Sequence, residues 1–177
     1  MTDRTREQEQ PFHGVRRQDR AVHDEGWIRA FLGEAPYGVV ATECDGQPFI
    51  TPLVFAYDES ANALYFHTGR AGRMYANVEK NPRVCFGVCS MGSPLPANGA
   101  CGFDVEYASV IVFGRAELLE SEEEATRGLR LMLDKYFPDL SYGEDYEAIA
   151  GDQLARTAVY RVAIDTWSGK RNSPDMR

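Results

Sequence analysis

Between His67 and Arg73 the chain sets a histidine, a threonine, two glycines and two arginines within one short run, His67-Thr68-Gly69-Arg70-Ala71-Gly72-Arg73. These residue types can hold an anion. Guanidinium groups make charge-assisted hydrogen bonds, glycines let the backbone approach closely, and Thr68 adds a hydroxyl. Residues 63–67 read as a strand, and the stretch from Gly69 to about Glu79 reads as a short helix ended by Asn81-Pro82. A helix N-terminus offers unpaired N–H groups and the positive end of the dipole, so a strand–turn–helix of this composition suits a phosphate. Neither a Walker sequence nor a G-x-G-x-x-G follows the strand. The plain alternative is a solvated turn whose arginines meet surface carboxylates.

Three further stretches carry candidates. In Gln47-Pro-Phe-Ile-Thr-Pro-Leu-Val-Phe-Ala-Tyr57 a proline interrupts a strand pattern, so Pro52 belongs at an edge or where the ladder opens and frees backbone groups for a ligand. Ser109 lies in the apolar run Glu106 to Ala116, where it either meets a ligand or satisfies a backbone group. Trp167 and Lys170 follow the last strand, and by default they are a core cap and a solvated charge. His13 and His23 fall in a polar leader, which leaves His67 as the histidine set within a motif. No Ser/His/Asp or Cys/His arrangement stands out. Cys85 and Cys89 are four apart in a strand, about 13 Å on one face at the usual rise, too far to share a zinc ion. They read as buried small hydrophobes, and no metal site is expected.

The elements that must position these residues are mostly strands. Asp24 caps a helix with apolar positions Trp27, Ile28, Phe31 and Leu32, closed by Gly33 and Pro36. Six strands are expected, at 37–42, 49–57, 63–67, 83–89, 105–119 and 158–164, with Asp45-Gly46 as a hairpin turn and Gly114 as a bulge. Residues 91–103 read as a Gly/Pro-rich loop. Ser121 opens the clearest helix, with Ala125, Leu129, Met132, Leu133 and Tyr136 as its apolar stripe and Pro138 as its end. Residues 139–151 read as an acidic linker. Short antiparallel strands joined by tight turns point to a mainly β fold, a closed barrel with peripheral helices. Residues 1–20 read as a loosely draped polar arm, and 21–177 as one domain.

The 177 residues carry 19 basic and 27 acidic side chains, a net charge of −8. That balance disfavours nucleic acid, which is bound through phosphate neutralisation, and anionic membrane surfaces. No apolar run approaches the roughly 20 residues that span a bilayer, and the leader lacks a signal-peptide core. A cytoplasmic protein with four reduced cysteines and small-molecule chemistry is the expectation.

Read together, Tyr37-Gly-Val-Val-Ala-Thr42, Pro52-Leu-Val-Phe55, Leu64-Tyr-Phe-His-Thr-Gly69 with Gly72-Arg73, Asn81-Pro-Arg-Val84, Tyr107-Ala-Ser-Val110 with Phe113-Gly-Arg-Ala116, and Gly169-Lys170 resemble the FMN-binding split-barrel family that includes pyridoxamine 5′-phosphate oxidase. Within it, the pattern is similar to the 5-nitroimidazole reductase, or nitroimidazole-resistance, branch. The resemblance runs from about Arg16 to Lys170. It implies a six-stranded antiparallel split barrel and a homodimer with FMN at the subunit interface. On that pattern Pro52, Leu53, Val54 and Phe55 line the isoalloxazine edge through their backbone, while His67, Thr68, Arg70 and Arg73 hold the ribityl phosphate or adjoining flavin atoms. Ser109 reaches the FMN from the neighbouring subunit, and Trp167 and Lys170 lie near the flavin rim. Phe55 and Trp167 are further expected to cover the ring. Met74 stands where vitamin-oxidising members carry a lysine, and their C-terminal arginine and histidine pattern is absent, so vitamin B6 oxidation is not expected. His67 takes the position of the branch's functional histidine, which implies a catalytic role. The implied activity is an FMN-dependent oxidoreductase passing electrons from NAD(P)H to a small organic acceptor such as a nitroimidazole or other nitroaromatic. The alternatives are a flavin-binding electron-transfer or sensor module without turnover, and a haem-binding split barrel with His67 as axial ligand.

Overall fold

The computed structural model describes residues 11–173. Of the leader, residues 1–10 lie outside the described residues; 11–20 rest on the barrel and end in a 3₁₀ turn, Gln18–Arg20. Strand β1 (Ala21–Val22) follows, then helix α1 (Glu25–Glu34). Asp24 starts that helix as expected, its carboxylate accepting the Trp27 N–H at 3.2 Å. Ile28 and Leu32 form its buried stripe.

Strands β2 (Gly38–Cys44) and β3 (Gln47–Leu53) form the hairpin that Asp45-Gly46 turns, both residues at positive φ (54° and 77°). The expected strand at 49–57 is broken. β3 ends at Leu53, Val54 and Phe55 leave the ladder, and β4 (Ala56–Asp58) resumes against β5 (Ala63–Gly69). The freed backbone at the break is satisfied from a helix. The phenol oxygen of Tyr136 accepts the Phe55 N–H at 3.2 Å, and it lies 2.8 Å from Pro36 O and 3.1 Å from Phe55 O.

Helix α2 (Arg73–Lys80) leads into the long strands β6 (Arg83–Leu95) and β7 (Asp104–Leu118). The loop expected at 91–103 is therefore shorter. The β6 ladder continues across an irregularity between Met91 and Pro94, where the Glu106 carboxylate accepts the Ser93 N–H at 2.9 Å. Helix α3 (Glu122–Tyr136) begins where Ser121 accepts the Glu124 N–H, and α4 (Gly151–Arg156) occupies the end of the expected linker. The last strand, β8 (Thr157–Asn172), runs well past 164. It does so through a bulge opposite Gly114, where the register steps from Phe113↔Thr166 to Gly114↔Ile164. A side chain at Gly114 would put its Cβ 2.2 Å from Ala163 O, so this close approach requires glycine.

Eight strands thus replace the expected six. The order is β3-β2-β6-β7-β8-β5-β4, with β1 also paired to β8. The two ends of that order, β3 and β4, are consecutive in the chain with only Val54 and Phe55 between them, so the antiparallel sheet closes at this bend. Phe55, Phe66, Phe86 and Tyr160 fill the centre, with ring centroids 4.7–6.3 Å apart for the contacting pairs. Cys85 is half-buried and Cys89 exposed, which corrects the expectation that both are buried.

Candidate functional site

Strand β5 divides the candidate residues. Its side chains alternate: Leu64 and Phe66 enter the barrel core, while Tyr65 packs under α3 with Leu119, Ala125 and Val159. Thr68 continues the first row and His67 the second, so these sequence neighbours face different surroundings.

On the Thr68 side lies the glycine turn. Thr68 Oγ1 is 2.9 Å from Gly69 O and 3.4 Å from the Tyr160 hydroxyl. The turn carries Gly72 at φ 109°, a conformation that L side chains rarely adopt, and α2 starts directly after it rather than at Gly69. No side chain caps α2, so the first N–H groups of the helix remain available. Arg73 is exposed, has no ion pair among the described residues, and lies over the Phe49 ring at 5.6 Å. Arg70 places one Nη 3.6 Å from the exposed Glu120 carboxylate, while its Nε is buried without a partner. A buried guanidinium N–H left unpaired beside an uncapped helix start is a donor set awaiting an anion. Met74 points into the core at 5% exposure, so its side chain takes no part in this surface.

On the His67 side, a cavity of about 420 Å³ opens between β5 and the helices. Val54, Leu129, Met132, Leu133 and Tyr136 give it mostly apolar walls, and His67, Gln153 and Thr157 supply its polar groups. The His67 side chain is exposed at this cavity and makes no hydrogen bond among the described residues, and partial desolvation by the apolar walls holds its imidazole below the ordinary value of 6.5. Sequence reading took Leu129, Met132, Leu133 and Tyr136 for a plain core stripe. The helical period that marks an apolar face does not say whether the face is filled or left open.

The bend supplies less than expected. Pro52 is exposed on β3, an edge of the strand order as its ring requires, and Leu53 is half-buried against the core. Phe55 is fully buried against Phe86, and its N–H and C=O face the Tyr136 hydroxyl. The expectation that Phe55 covers a ligand ring is corrected accordingly: its side chain is part of the core.

Ser109 and Lys170 form a third place. They are directly paired across β7 and β8, and both are half-buried. Lys170 Nζ sits 5.2 Å from the Tyr107 ring centre. Arg20 donates to the Tyr107 hydroxyl at 3.2 Å. Burial opposes it, but the bonds from Arg20 and Lys170 hold the Tyr107 phenol below its ordinary value. Trp167, three residues from Lys170 and so on the other face of β8, packs against the core with Arg29 over its ring at 4.8 Å. Thr68 pairs with Ala158 near the start of β8, whereas Ser109 pairs with Lys170 near its end. The intervening 12 residues (170 − 158) trace about 40 Å of strand path.

Residues 24–171 match the family model for pyridoxamine 5′-phosphate oxidase. The chain belongs to that family. No curated protein sequence matches it. Among solved structures, the flavocytochrome Anf3 from Azotobacter vinelandii is 28% identical over 91% of this chain and 73% of its own, with a TM-score of 0.80. A candidate 5-nitroimidazole antibiotic resistance protein from Bacteroides thetaiotaomicron is 21% identical over 85% and 86%, at 0.69. The FAD and haem binding protein from Mycobacterium smegmatis is 20% identical over 88% and 77%, at 0.75. The two less similar structures share the fold: a split barrel of the pyridoxamine 5′-phosphate oxidase type, as the sequence motifs implied. No helix among the described residues is long and apolar enough to cross a membrane.

Proposed function

We propose that this family member is a flavin-dependent oxidoreductase, with FMN held by its phosphate on the Thr68–Arg73 turn, that passes electrons from NAD(P)H to a small organic acceptor of the nitroimidazole or nitroaromatic kind. One observation carries it: the partnerless, buried Arg70 Nε beside the uncapped start of α2 and the unpaired Arg73. A bound flavin supplies the two-electron redox chemistry; the chain's residues bind, orient and exclude water. Arg70, Arg73 and the first N–H groups of α2 would hold the phosphate, and the β3 edge at the exposed Pro52 and half-buried Leu53 would lie along the ring. His67 stands one strand position from Thr68 but faces the cavity, so the role assigned to it is to bind or orient an acceptor that reaches the flavin past the end of β5.

The reading makes the protein a homodimer. Ser109 and Lys170 lie near the end of β8 remote from the turn, so in this reading they reach the flavin of a second copy. Cytoplasmic residence goes with it, supported by four free cysteines and a reduced nicotinamide donor.

A second reading is favoured by the His67 cavity. The mostly apolar cavity with its unbonded imidazole would hold a haem through His67, and the 28% identical relative is a flavocytochrome. The flavin site and the haem cavity lie on opposite faces of β5, so the readings are compatible. Anaerobic addition of NADH or NADPH should bleach the flavin band of the FMN-loaded protein, and a 5-nitroimidazole should restore it. If neither donor bleaches the band, the oxidoreductase assignment fails and a flavin-binding module remains. A Soret band in the purified protein that is lost in His67→Ala supports the haem.

A further inference from the structure

Residues 11–17 lie across the outer face of β7 and β8, held there where Phe12 meets the Phe113 ring edge-on at 5.1 Å, and turned on themselves where the Gly14 N–H bonds Pro11 O at 2.7 Å. Beneath this strap is a cavity of about 270 Å³ whose polar lining is Arg16, Arg17, Ser109, Ser168 and Lys170. Its charges are unequally matched. Arg17 is paired bidentately with Asp19, and nearby Arg20 with Asp104. Arg16 and Lys170 have no carboxylate partner among the described residues, and neither serine hydroxyl has a hydrogen bond there. Lys170 bonds only the neutral Tyr107 phenol, so in a chain of net charge −8 two cations without a carboxylate share one lining with two unbonded hydroxyls and form a local site for an anion. A guanidinium fork, an ammonium and two hydroxyls suit the several oxygens of a phosphoryl group better than the two of a carboxylate.

We propose that the strap and the β7–β8 face form a second phosphate site, which takes a phosphate of a dinucleotide other than the FMN phosphate on the turn. Two dinucleotides supply such a group: the outer phosphate of an FAD whose inner phosphate is held on the turn of a second copy, since the turn of the same chain lies about 40 Å of strand path away, and the 2′-phosphate of NADPH. The identity of the nucleotide rests on the flavin reading above, whereas the anion pocket does not. The strap thereby gives the polar leader a role in selecting the redox nucleotide, and it joins Ser109 and Lys170 to that role.

Calorimetry with inorganic pyrophosphate tests the pocket directly. The full chain is used in an Arg70→Ala/Arg73→Ala background, so that the turn does not compete. Pyrophosphate should bind, and adding Arg16→Glu and Lys170→Gln should weaken it by about tenfold or more, the scale of one lost charge-assisted bond. Arg16→Glu alone, at an exposed position, repeats the test if the larger variant unfolds. Binding that is absent, or unchanged by these substitutions, overturns the pocket. In the wild-type background, a loss of affinity for FAD but not FMN on Arg16→Glu, the lining residue with no part in the flavin reading, assigns the site to the flavin dinucleotide. A raised KM for NADPH but not NADH assigns it to the nicotinamide donor. Discrimination in neither pair overturns the nucleotide assignment. Failure of the flavin reading shows separately, as wild-type protein that retains no flavin whatever pyrophosphate does.

Discussion

Thr68 and His67 share a strand, yet one faces a charged turn and the other an apolar chamber. The turn holds two arginines, a helix start without a cap and a buried Nε without a partner. The chamber holds aliphatic and aromatic side chains of α3 and one imidazole that partial desolvation holds below its ordinary pKa. The difference shows how a β-strand partitions chemistry. Its two-residue period lets adjacent positions serve anion anchoring and apolar contact without mixing the two.

The largest effect that can break this contrast is on the charged side. Arg70→Ala/Arg73→Ala should weaken FMN binding by about 100-fold or more, since two charge-assisted bonds are worth roughly 3 kcal/mol together. A fluorescence titration in which FMN affinity hardly moves would remove the turn from the site. Next comes the residue that joins the chamber to the bend at Phe55. Tyr136→Phe strips the bend of the hydroxyl that meets the Phe55 backbone while leaving the ring in the chamber wall. Urea unfolding should show a loss of about 1–3 kcal/mol, the cost of leaving buried backbone groups unpaired.

A pH series sharpens the apolar side. The folded His67 imidazole titrates below its ordinary 6.5, so the unfolded chain takes up the proton first. Wild type should therefore lose stability as the pH falls below that value, until the folded imidazole titrates too. His67→Gln should lack that component, read as the difference between the two Tm profiles. Parallel profiles would mean that His67 is not held neutral. The smallest effect returns to the turn. Glu120→Gln removes the carboxylate that lies 3.6 Å from Arg70, and FMN should then bind about two- to threefold tighter, in keeping with an exposed pair.

Much of this architecture was legible in the chain. The Asp24 and Ser121 caps, the Asp45-Gly46 turn and the Gly114 bulge are local signals, and each fell where local chemistry put it. The break at Val54-Phe55 was half legible. Pro52 announced the edge, but the satisfaction of Phe55 by Tyr136, 81 residues away, is a tertiary contact with no local trace. The extension of β6 through Gly92 and Pro94 was hidden because those residues argue for a loop, and only pairing with β7 holds them. At the site, Arg70 and Arg73 were readable from type and spacing. The separation of His67 from Thr68 was available in the strand period, yet their nearness in sequence masked it. That the α3 stripe walls a cavity follows from packing, which no periodicity records.

The phosphate anchor is the centre of this account, and the affinities of wild-type protein for FMN and riboflavin test it most directly. The two ligands differ only by the phosphate. With Arg70, Arg73 and the α2 start gripping that group, FMN should bind about 100-fold tighter than riboflavin or better. Equal affinities would contradict the assignment, and the turn would then be a solvated one.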